Sequence, residues 1–222
     1  MTPSRKTALL AGVLYLLTFV SSIPALALLG PVLHDARFVL GSGSETGVRV
    51  GVVLDLVNAG ACVGTAVVLY ETLRTYGAAA LGFVASRVLE AAIIVLGVVC
   101  LLGVVTLRGG AGDPATLQAV AAGLVAVRDW TFLLGPGLMA GINALLLGTL
   151  MYRSRLVPRP IPLVGLIGAP IHLVAVLASV FGLNHQLSLW SGLSAAPIAL
   201  WELSLGLWLT FRGFSAARVL DN

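Results

Sequence analysis

Between Pro160 and Trp201 the chain runs for 42 residues without one Asp, Glu, Lys or Arg. A helix needs about 20 apolar residues to cross a hydrocarbon layer roughly 30 Å thick, so this one stretch has room for two crossings. Gly182-Leu-Asn-His-Gln186 is the natural break between them. Four more apolar stretches of that kind precede it, which predicts six spans at about 7–29, 50–70, 78–106, 130–152, 161–181 and 192–211. Only 10% of the residues are charged and the mean hydropathy is +1.04. Too few charges exist to clothe a water-soluble surface. The expectation is an all-α polytopic membrane protein, one transmembrane domain over residues 1–222. Disorder, a disulfide framework (two Cys only) and low-complexity structure are excluded.

The fourth span has an unusual lead-in. Asp113-Pro114 is a strong helix start, with Asp as N-cap and Pro at the first helical position. From there to Tyr152 a helix would be roughly 58 Å long. That exceeds one straight crossing, so a bend is expected at Gly135-Pro136, with the portion before Arg128 at the interface.

Basic residues orient the spans. With the N-terminus inside, eight of the thirteen Lys and Arg fall in cytoplasmic segments: Arg5, Lys6, Arg74, Arg153, Arg155, Arg159, Arg212 and Arg218. Arg37, Arg49 and Arg108 lie outside, and Arg87 and Arg128 fall in or near the membrane. Both termini are then cytoplasmic. A sequence pI near 9.6 is thus a topology signal and no nucleic-acid footprint. The lipid bilayer is the expected partner, with anionic headgroups at Arg153, Arg155 and Arg159. One rival reading takes Arg5-Lys6, the apolar run and Ala25-Leu26-Ala27 as a cleavable secretory signal; the length of the run argues against it.

The ionisable residues within the spans carry the functional expectation. Asp55, Arg87, Glu90, Arg128, Asp129 and Glu202 all fall inside or at the edge of a span. A charge at the bilayer centre costs about 2.5–3.5 kcal/mol on insertion scales, so these groups should face the interior and find partners. Depths along the helices put Asp55 roughly 8 Å and Glu202 roughly 15 Å below the outer start, and Glu90 roughly 18 Å above the inner one. Asp129 is placed in the outer half with them, around a cavity opening outward. Asp55, Asn58, Cys62 and Thr65 form one stripe of the second helix; Asp129 and Asn143, 14 residues apart, share a face of the fourth. Arg87 and Glu90 are i, i+3 neighbours able to pair in place. Four acids against two arginines leave two negative charges for a proton, a cation or a small polar ligand to meet.

Several strings carry a family resemblance: Arg5-Lys-Thr-Ala-Leu-Leu-Ala-Gly-Val-Leu-Tyr-Leu-Leu-Thr-Phe19, Arg87-Val-Leu-Glu-Ala91, Tyr152-Arg-Ser-Arg-Leu-Val-Pro158 and Trp201-Glu-Leu-Ser-Leu-Gly-Leu-Trp208. In order, along nearly the whole chain, they resemble the bacterial membrane family known as domain of unknown function 4386. The resemblance implies a multi-span inner-membrane protein and brings no activity, cofactor or catalytic residue with it.

The leading expectation is a binding or transport role, with Asp55, Asn58, Arg87, Glu90, Arg128, Asp129, Asn143, His172 and Glu202 as the candidate site. No metal set and no cofactor is read from the sequence, since no second His or Cys stands at ligand spacing from His172. Catalytic motifs are absent too. Two alternatives stand beside this reading. One is an intramembrane enzyme using Glu90 or Glu202 with His172; the other is a non-catalytic scaffold whose charges pair fully. Gly41-Ser-Gly-Ser-Glu-Thr-Gly47 reads as a flexible outer loop. Glycine pairs such as Gly60/Gly64 and Gly137/Gly141 read as helix-packing contacts within the chain.

Overall fold

A computed structural model describes residues 2–186 and 188–215. Its helices are α1 (Pro3–His34), α2 (Glu45–Leu73), α3 (Ala79–Leu107), α4 (Pro114–Phe132), α5 (Ala140–Ser154), α6 (Pro160–Val180) and α7 (Leu189–Phe211). A π-helical segment, Leu133–Met139, joins α4 to α5 without a break, making one rod of 41 residues. Six helices are therefore long and apolar enough to cross a membrane. Each apolar run overlaps one of them, those of α3 and α6 overshooting by one residue (Ala78 and Phe181), and α2 begins at Glu45, so Asp55 lies ten residues inside it.

The helix ends follow local chemistry. Thr2, Ser44, Asp113 and Ser188 accept hydrogen bonds from amides three residues on, as N-caps do. Pro3, Pro114 and Pro160 occupy first-turn positions, where the missing N–H is no loss. The predicted bend site, Gly135-Pro136, lies within the π segment: proline's missing donor is absorbed by a wider turn.

The helices form a closed ring. α1 packs on α2, α2 on α3, α3 on α4 and α5, α5 on α6, α6 on α7, and α7 returns to α1. That last seam is tight, because a Cβ on Gly12 would lie 2.5 Å from Thr210 N and 2.7 Å from Gly206 O. Arg5 closes the same seam by donating to the carbonyls of Leu209 at 2.9 Å and Thr210 at 2.6 Å, at the C-terminus of α7. On α5, Gly141 and Gly148 seat Leu173 and Leu166 of α6, and Gly64 seats Leu14 of α1, whereas Gly60 faces open space.

Polarity runs inside out. Large apolar side chains such as Val20, Ile167, Val174 and Phe181 face outward, while Arg87, Glu90 and Asn143 are buried. The interior is layered. One apolar core near the termini joins Tyr15, Leu69, Phe83, Leu147 and Trp201. A second, at the other end, joins Leu29, Phe38, Val48, Leu101 and Ala121. The charged layer lies between them.

The loop before α2 departs from the flexible expectation, because it has fixed partners. Arg108, just past α3, donates to the carbonyls of Phe38, Gly41, Ser42 and Gly43 at 2.6–3.1 Å and stacks on the Phe38 ring. Positive φ at Gly41 and Gly43 belongs to the turn that presents these carbonyls. Asp35 ties the same loop: the Ser42 hydroxyl, then the Arg37 amide, hold its carboxyl below its ordinary pKa. Arg108→Gln is expected to cost about 1–3 kcal/mol by leaving these carbonyls without their charged donor. Faster amide hydrogen exchange confined to residues 38–48 would register the loss; unchanged exchange there would contradict the clamp.

Candidate functional site

Arg87 is the centre of the charged layer. It lies two turns into α3, a position otherwise surrounded by apolar and aromatic groups, and is only 2% exposed. Its Nη1 donates to Glu90 Oε2 at 2.8 Å and lies 3.6 Å from Cys62 Sγ. Its Nη2 donates to Glu202 Oε1 on α7 at 3.3 Å. The rings of Tyr15 and Phe83 lie 5.1 and 5.9 Å from the guanidinium carbon, within cation–π range. Nε has no partner. Glu90 Oε2 also accepts from Asn143 Nδ2 at 2.7 Å, and the Asn143 carbonyl takes the Ser86 hydroxyl. α3, α5 and α7 are thus joined by one polar network with α1 and α2 against its edges.

Above this network, toward the second core, lies a recess of about 240 Å³. Its polar lining brings together Asp55, Asn58, Arg87, Glu90, Arg128 and Glu202, with Thr18, Ser22 and Thr131. Its apolar lining includes Phe19, Ile94 and Phe132. On α1 the wall reaches Ile23 and Leu26, which are 66% and 44% exposed, so the recess extends to the outer face of the ring. α4 leans on α3 and on the short turn at Phe38–Leu40.

Arg128 enters the recess from α4 and is 7% exposed. The Phe132 ring lies 4.8 Å from its guanidinium carbon. Its nearest carboxylate, Asp129, is 3.7 Å away, beyond hydrogen-bond reach. Among the described residues the Arg128 guanidinium makes no hydrogen bond, and Asp55 makes neither a hydrogen bond nor an ion pair. Two opposite charges thus share one hollow without meeting each other.

A family model described as "Domain of unknown function (DUF4386)" matches residues 10–213, nearly the whole chain. The chain belongs to the DUF4386 family. No curated protein and no solved structure matches it.

Three candidate residues of this DUF4386 chain do not line the recess: Asn143, which stands in the Arg87 network below it, Asp129 and His172. The Asp129 side chain is 53% exposed and does not line it. The reason is the π segment: each i→i+5 turn takes up an extra residue, which turns everything beyond it by about 100° relative to an α-helix. Asp129 and Asn143, which share a face on an uninterrupted α-helix, are therefore turned apart, and Arg128 takes the inward place. His172 is buried on α6, its Nε2 3.1 Å from Gly137 O in the π segment and its Nδ1 3.3 Å from Ser194 Oγ on α7. Neither partner is a carboxylate, so the acid–imidazole pair that the enzyme reading needs is not formed. Among the described residues, no three His, Cys, Asp or Glu side chains group to hold a metal ion.

A second recess, of about 400 Å³, lies beside the first in this DUF4386 protein, between the π segment, α6 and α7. Phe19, Phe132, Pro136, Ala140 and Glu202 line both. Ser188, Ser191 and Ser194 lead along it from the α6–α7 loop toward Glu202. Their i, i+3, i+6 spacing is visible in the sequence as a hydroxyl stripe, but serine is common at such positions and no ionisable group lies among them to mark the stripe.

Proposed function

We propose that this protein binds a small polar ligand, cation or proton at the charged layer, in a binding or transport role. One observation carries the reading: Glu202, bound to Arg87 on one side, lines both recesses and so stands between an internal polar hollow and the serine-lined recess below the α6–α7 loop. An acid in that place is the natural relay for a charged species. We also assign both termini to the cytoplasmic side of a bacterial inner membrane, on the distribution of Lys and Arg. Arg153, Arg155 and Arg159 then meet anionic headgroups at that face.

A second reading, the scaffold, is favoured by the pairing of Arg87 with two acids on two helices. Glu202→Gln separates the two. The amide keeps the side chain's shape and can still accept from Arg87. Under the binding reading, ligand-dependent stabilisation or proton uptake of purified protein falls at least tenfold while the ligand-free unfolding temperature changes by a few degrees. Under the scaffold reading only the unfolding temperature moves.

A further inference from the structure

We infer that the internal recess takes a zwitterion with an apolar body, its carboxylate on Arg128 and its ammonium on Asp55; this rests on the binding reading above and names the ligand class. Arg128 sets the first requirement. A guanidinium more than nine-tenths buried normally has its donors occupied, since an unmet buried charge is expensive. Here the Phe132 ring covers its face and no acceptor lies within hydrogen-bond reach, while the recess stands open before it. A planar fork held in this way is shaped to receive a carboxylate through two parallel hydrogen bonds.

Asp55 supplies the opposite half. It lines the same recess from α2, makes no hydrogen bond or ion pair with any described residue, and has Asn58 nearby as a further carbonyl acceptor. An ammonium has three donors to place. A lone cation on Asp55 would leave the Arg128 donors without an acceptor, with the Asp129 carboxylate at 3.7 Å as their counter-charge alone. A lone anion on Arg128 would leave Asp55 without a donor. A molecule bearing both signs gives each of these two groups a partner of opposite charge at once, and leaves the balance of the other charges in the layer as it was. Phe19, Ile94 and Phe132 give its body an apolar seat. A volume of about 240 Å³ holds a small amino acid with room for water.

The test uses purified full-length protein and matched probes. Glycine, alanine, valine and leucine are the zwitterions; isovalerate is valine without its ammonium, and isobutylamine is valine without its carboxylate. The readouts are thermal unfolding and direct calorimetric binding. The expected result is that at least one zwitterion binds tenfold or more tighter than either single-charge analogue. Arg128→Gln and Asp55→Asn each lower that binding at least tenfold, and Arg128→Lys keeps part of it. The probe series on the unaltered chain decides the matter even if a variant fails to fold. Isobutylamine binding as tightly as valine, with Glu202→Gln weakening it, would overturn the zwitterion and leave the broader binding reading standing. If none of these probes binds, the zwitterion falls; if the purified protein also binds no sodium or potassium ion and takes up no proton that Glu202→Gln abolishes, the broader binding reading falls with it.

Discussion

Arg87→Leu is expected to lower the stability of the folded bundle by about 3–5 kcal/mol, because it leaves Glu90 and Glu202 buried without their common partner. The loss is larger than either acid's own contribution, since one guanidinium serves both carboxylates and packs on two aromatic rings. Unfolding by sodium dodecyl sulfate in mixed micelles measures it. A companion variant sharpens the result. Changing Arg87, Glu90 and Glu202 together to leucine removes every member of the ion group, and replacement of a whole buried ion group by apolar residues is often neutral. The triple variant is therefore expected to recover most of the stability lost in the single one. If it is worse still, hydrogen bonds such as Asn143 to Glu90 matter more than charge balance.

The second large effect belongs to the seam that closes the ring. Gly12→Ala places a methyl group 2.5 Å from a backbone nitrogen of α7. Backbone cannot step aside as a flexible side chain can, so the helices must separate. Overpacking of this kind costs about 1–3 kcal/mol, and Gly12→Val more, with loss of the Arg5 contacts at the end of α7. Gly60→Ala is the control. Nothing lies within 4 Å of its Cβ position, and helix propensity favours alanine by about 0.5–1 kcal/mol. Equal effects at the two sites in thermal unfolding would mean that the seam is not a close backbone contact.

The helical layout was legible because hydrophobic run length speaks for itself in a membrane. Arg87 and Glu90 were legible as a pair because i, i+3 spacing is local. Glu202 could be placed near their level from its depth along a run, although nothing in the sequence named Arg87 as its partner. The face of Asp129 was not legible for a definite reason: a helical stripe turns 100° per residue, and the π segment at Leu133–Met139 breaks that period between Asp129 and Asn143. The roles of Arg5 and Arg108 were hidden for another reason. Each appears in sequence as a charge at a helix end, but the carbonyls it serves come from elements 204 and 65–70 residues away. The contacts of His172 are likewise tertiary, with Gly137 35 residues behind it and Ser194 22 ahead.

Ile23 and Leu26 belong at once to the wall of the internal recess and to the outer surface of α1. In a bilayer that surface faces acyl chains, so one edge of the polar chamber borders hydrocarbon rather than water. Whatever fills the recess then meets that border as well as the charged wall. Chain length of the surrounding lipid or detergent is then a thermodynamic variable of the site, on the same footing as salt or pH.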